Sequence, residues 1–256
     1  RSMPALLVSL AAFVVIIAGT WVGAHLRTVL PKHHLDAETR DAVRIGVGLI
    51  ATMSALVLGL LLATAKSSFD TKSDEIRTSA AKIILLDRTF REYGSETNEL
   101  RALLRDTIER RVDHKWIDLR SLTVMEPSTT TDPLPMERLQ EKLRAMSPGT
   151  PGQRLAHARA LQLGEDLAQT RWLLVEQLGG TIPLPFLVLL VLWVALIFAS
   201  LGLFAPRNGT FYTVIVVCAL SVASALFLII EMDRPFGGVL RISDAPLRTA
   251  LQYLQR

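Results

Sequence analysis

Four stretches of the chain run for twenty residues or more without Asp, Glu, Lys or Arg: 4–26, 45–65, 183–205 and 209–230. At 1.5 Å of rise per helical residue, each covers the roughly 30 Å of a bilayer's hydrocarbon core. They predict four membrane-spanning helices. The second carries Gly46, Gly48, Gly59 and several alanines, small residues that let membrane helices approach closely. Pro206, Arg207, Asn208 and Gly209 join the third and fourth spans as a tight turn, which predicts an antiparallel helical hairpin.

Between the second and third spans, residues 66–182 are too charged for a bilayer and form an extramembrane domain. No proline interrupts residues 41–91, and Phe69, Ile76, Ala80, Ile83, Leu86 and Phe90 recur at helical spacing, so the second span should continue outward as one long helix. Gly94 marks a kink. Beyond it Leu100, Leu103, Leu104, Ile108 and Val112 resume the pattern as far as about Trp116. Residues 126–135, rich in Pro, Ser and Thr, read as a loop, and amphipathic helices are expected over 136–146 and 153–178. No alternating pattern of useful length predicts a strand. The fold class is therefore an all-α membrane protein: four transmembrane helices, with a helical cytoplasmic bundle inserted between helices two and three. The expected divisions are 4–65 (first two spans), 66–182 (helical domain), 183–232 (transmembrane hairpin) and 233–256 (C-terminal tail).

Composition sharpens this picture in two ways. Half of the 256 residues are apolar, and mean hydropathy is +0.35. The net charge of +4 is too small an excess to argue for nucleic acid and is better weighed against membrane topology. With four spans, both termini share a side. Arg234, Arg241, Arg248, Arg256, Lys66, Lys72, Arg77 and Arg171 flank the spans there, against Arg27, Lys32, Arg40, Arg44 and Arg207 opposite. The excess predicts that both termini and the large domain are cytoplasmic.

Candidate chemistry is sparse. No ionisable residue occupies the central part of any span, which disfavours a proton-coupled transporter. The serines of the spans, Ser54 included, have no His or Asp at comparable depth, and no H-E-x-x-H pair or phosphate-binding glycine loop occurs, so an enzyme is not expected. His33 and His34, near Asp36 and Glu38, are adjacent on a short loop and point different ways; they read as a solvated loop, and the isolated His114 and His157 as surface or bundle-edge histidines. The lone Cys218 reads as a small packing residue. No metal site and no cofactor are expected. The second span is more informative: Gly48, Thr52, Ala55, Gly59 and Lys66 share one face at three- and four-residue steps, with Leu56 and Ala63 beside it. That stripe is either a small-residue packing seam or the wall of a pore that gates by dewetting. Arg44 and Lys66 bracket it. At the end of the last span, Glu231 and Asp233 meet Arg234, Pro235, Phe236 and Gly237 at the membrane boundary. A carboxylate there should pair with a base such as Arg234, Arg241 or Lys66, and the turn is suited to a gate or a subunit contact.

At these residues the chain resembles a known family. Pro235-Phe236-Gly237 after an acidic segment, followed by Asp244-x-Pro246-Leu247, is similar to the Asn-Pro-Phe-Gly and Asp-x-Pro-Leu elements of bestrophin channels. Leu30-Pro-Lys-His-His-Leu35, Ala55-Leu-Val-Leu-Gly-Leu60, Ala65-Lys-Ser-Ser-Phe-Asp70, Leu85-Leu-Asp-Arg88 and Tyr93-Gly94 extend the resemblance to the bacterial bestrophin-like membrane protein family over nearly the whole chain. The resemblance implies a pentameric homo-oligomer that passes small inorganic anions across a lipid bilayer, the bacterial inner membrane, through a pore lined by the second helix. The chain departs from true bestrophins in having no phenylalanine in residues 45–65, Arg234 in place of the Asn, and no acidic calcium-binding cluster. The expected function is thus a homo-oligomeric channel with Gly48, Thr52, Ala55, Leu56, Gly59 and Ala63 lining the pore and Arg44 and Lys66 at its ends. The alternative is a membrane-anchored interaction or scaffold protein acting through its helical domain.

Overall fold

A computed structural model describes residues 5–31, 36–113, 135–176, 182–205, 208–233 and 238–256. Among them the regular structure is helical: α1 (Ala5–Val29), α2 (Ala37–Tyr93), a 3₁₀ turn at Ser95–Thr97, α3 (Asn98–Asp113), α4 (Pro135–Ala145), α5 (Pro151–Glu176), α6 (Leu184–Phe204), α7 (Gly209–Asp233) and α8 (Ala245–Leu254). Helices α1, α2, α6 and α7 are long and apolar enough to cross a membrane. The chain divides into two compact units. One comprises residues 1–68, 180–234 and 238–240, the other 69–179, 235–237 and 241–256.

The first unit is organised around α1. Gly19, Gly23 and Gly202 remove the side chains that would otherwise hold two backbones apart. A Cβ added to Gly19 would lie 2.7 Å from the Ala195 carbonyl oxygen, and one on Gly23 or Gly202 would run into the main chain of Ala199 or Thr20. α1 also packs along α7, so it makes the close approaches to both α6 and α7. Leu187 near the start of α6 and Ile230 near the end of α7 share a buried cluster with Ala5, so α6 and α7 run antiparallel, while the close main-chain packing is made between α1 and α6, where the interlocking glycines are. Ala12 and Ile16 of α1, Leu61 and Ala65 of α2, Leu190, Val194 and Phe198 of α6, and Ala219, Leu226 and Ile229 of α7 close the core.

The second unit is built on the later half of α2. Ile76, Ala80, Ile83, Leu86 and Phe90 are buried against Leu100, Leu104, Ile108 and Val112 of α3, as their spacing predicts. α4 adds Met136, Leu139 and Leu143, and α5 adds Ala160 and Leu167. Gly94 does more than kink the helix. Its φ of 125° lies where a side chain is strained, so α2 stops at Tyr93, and the Thr97 hydroxyl donates to the carbonyls of Phe90 (2.6 Å) and Gly94 (2.7 Å). The C-terminal segment is also more than a tail. Ile242, Leu247, Ala250 and Leu254 are buried in this core, and Pro246 sits in the first turn of α8, where its missing N–H costs nothing.

Candidate functional site

The two faces of α2 in the first unit differ sharply. Ser54, Leu61 and Ala65 are buried, whereas Gly48, Thr52, Ala55, Leu56, Gly59 and Ala63 are all exposed. At 100° per residue the two sets lie on opposite sides of the helix. Leu56 is 72% exposed, and a Cβ added to Gly46, Gly48 or Gly59 would meet nothing within 4 Å. Within one protomer the stripe is therefore no packing seam; that role belongs to the glycines of α1 and α6. Arg44 and Lys66 are exposed as well, one on either side of the stripe along the chain.

The stripe's chemistry is nearly inert. The Thr52 hydroxyl donates back to the Gly48 carbonyl at 2.9 Å, so its proton is used within the helix and only an oxygen and a methyl group face outward. Such a wall offers an ion little to bind.

A second site forms where α7 ends. Glu231 is 6% exposed, and its Oε2 accepts hydrogen bonds from the main-chain N–H groups of Val239 and of Leu240, the latter at 3.2 Å. Its partners among the described residues are thus main-chain donors, so of the two carboxylates expected to supply a pair with a base, Glu231 is satisfied in another way. The return of the chain explains this: a carboxylate that accepts two N–H groups is satisfied without a cation, and Gly238 allows the approach, since a Cβ there would collide with the Glu231 carboxylate. Asp233 closes α7 and is half-buried. Arg234, Pro235, Phe236 and Gly237 lie outside the described residues, as do His33, His34, His114 and the Pro206-Arg207 turn.

In the second unit, Asp87 is a buried carboxylate held by Arg91 at 3.0 Å and Arg101 at 2.7 Å. Arg91 also reaches the Tyr253 carbonyl at 3.5 Å, which links α2 to α8. This cluster lies within the Leu85-Leu-Asp-Arg88 stretch, yet the sequence gives only the i,i+4 pairing with Arg91, because Arg101 is brought round by the break at Gly94. His157 is half-buried at the edge of the bundle. Its Nε2 lies 2.8 Å from the Leu143 carbonyl near the end of α4, and its ring lies 6.5 Å from that of Tyr93.

Comparison with known proteins adds the following. The sequence matches the family model described as Bestrophin-like domain over residues 11–247. No curated protein matches it significantly. Two crystal structures of a bacterial bestrophin homologue from Klebsiella pneumoniae, each carrying a mutation, are similar in fold. One gives a TM-score of 0.64 at 17% identity, covering 98% of this chain and 96% of that one. The other gives 0.62 at 18% identity, covering 99% and 98%.

Proposed function

Because the chain belongs to the bestrophin-like family, we propose that it is a membrane-embedded ion channel, a homo-oligomer that passes small inorganic anions along the exposed stripe of α2. The observation that carries this reading is the face itself. Six small or apolar residues in the membrane-spanning part of α2 are exposed among the described residues, opposite a face that is packed. On this reading several copies bring these faces around a common axis. By resemblance the number is five. On the same reading α2 is the pore helix, Arg44 and Lys66 raise the local anion concentration at its ends, and the protein sits in the bacterial inner membrane. Both termini and the helical domain lie on the cytoplasmic side, the side favoured by the count of flanking Lys and Arg residues.

Planar-bilayer recording with purified oligomer tests the proposal directly. Wild-type protein should carry a chloride or nitrate current. Ala55→Trp should abolish it while the oligomer elutes unchanged, since the indole would project into open space. Loss of the oligomer in Ala55→Trp would make the stripe a subunit seam instead, and absence of any current from wild-type oligomer would sink the channel reading.

A further inference from the structure

Besides the α2 stripe, the first unit contains a cavity of about 250 Å³ lined by Thr20, Trp21, Ala24, His25, Thr28 and Tyr212. It lies at one edge of the membrane-spanning region, because His25 and Thr28 are in the last turns of α1 and Tyr212 is in the first turn of α7. Its chemistry differs from that of the groove further along the same two helices. That second groove, between Leu6, Leu10 and Phe13 of α1 and Leu220 and Phe227 of α7, is apolar apart from two serine hydroxyls. The Ser224 hydroxyl is spent on the Leu220 carbonyl and that of Ser9 on Leu6.

The edge cavity instead gathers three amphipathic side chains. Trp21, His25 and Tyr212 are all exposed, and among the described residues no partner is found for the indole N–H, the imidazole or the phenol. Other polar atoms of the lining are occupied: Thr20 donates to the Ile16 carbonyl and Thr28 to that of His25. No carboxylate lines the cavity, and Arg27, the residue between His25 and Thr28, adds a positive charge to the same turn while donating to the Ala205 carbonyl at 2.7 Å. We propose that this cavity is a phospholipid site, in which Trp21, His25 and Tyr212 hydrogen-bond the phosphodiester of one lipid while its acyl chains lie against α1 and α7. Depth supports a lipid over a soluble anion: Trp and Tyr favour the headgroup level, and the apolar groove of Leu6, Leu10, Phe13, Leu220 and Phe227 lies further along the same two helices, where acyl chains can rest and a free anion would gain nothing.

Native mass spectrometry of the intact detergent-solubilised oligomer, delipidated and then supplied with a phosphatidylglycerol of defined chain length, tests the site. Wild-type protein should retain the lipid under activation that strips it from Tyr212→Phe and His25→Ala, with apparent affinity falling about tenfold for each. Retention unchanged in both variants would overturn the proposal. So would dissociation of the oligomer in either variant, which would make the cavity a contact between subunits. Inorganic phosphate serves as the control: if it protects wild type but not the variants as well as the lipid does, the site takes a free anion and the lipid assignment fails. Bilayer current is not the readout, so failure here leaves the channel proposal untouched and the reverse also holds.

Discussion

Ser54 is buried on the packed face of α2, and its hydroxyl finds no hydrogen-bond partner among the described residues. A buried donor left unpaired costs about 1–3 kcal/mol, so Ser54→Ala should raise the melting temperature of the purified oligomer. A lower melting temperature would mean that the hydroxyl is engaged across a subunit boundary. Glu231 shows the opposite condition. Its Oε2 is met by two main-chain donors, and Gly238 leaves room for it. Gly238→Ala should displace the carboxylate and cost about 1–3 kcal/mol, read as an earlier melting transition, whereas Gly59→Ala, whose Cβ enters open space, should not. The sequence showed that a carboxylate stood at the membrane boundary and needed a partner, but not which one. The partner comes from chain that doubles back after the span, and no spacing rule encodes that return.

At the scale of elements, periodicity was an accurate guide wherever one face of a helix is buried along its length. The 57 residues of α2 and the buried series Ile76, Ala80, Ile83, Leu86 and Phe90 follow directly from the absence of proline and the three- and four-residue steps. Small residues were harder to assign. Glycines in the second span look as suited to close packing as those in the first and third, since composition does not say which helix stands opposite. The structure separates them: Gly19, Gly23 and Gly202 meet main chain, while Gly46, Gly48 and Gly59 meet nothing. Gly23→Ala should therefore lower stability by about 1–3 kcal/mol through overpacking, and a melting temperature equal to wild type would show that α1 and α6 can part without cost. α8 was legible in principle. Leu247, Ala250, Leu251 and Leu254 keep helical spacing behind Pro246, but a ten-residue helix beyond the last span reads easily as a tail until its core partners on α2 and α3 are known.

For the whole molecule the decisive quantity is charge along the proposed conduit, because the wall itself offers ions almost nothing. With the channel proposal as premise, each subunit contributes one Lys66 near the end of the stripe, so a pentamer would present five. Their summed potential should favour anions at the entrance, and it acts through space, so it must obey screening. The Debye length is about 30 Å at 0.01 M salt and about 3 Å at 1 M. Lys66→Glu reverses the sign at every subunit while leaving the apolar width of the stripe intact. The variant should therefore conduct, with an anion-to-cation permeability ratio several-fold below wild type in dilute salt, and the two proteins should converge as salt approaches 1 M. Reversal potentials in asymmetric chloride gradients at both ionic strengths measure this. A selectivity difference that persists undiminished at high salt would mean that Lys66 acts by direct ion contact at the stripe, and no difference at either salt would move the selecting charge elsewhere in the chain.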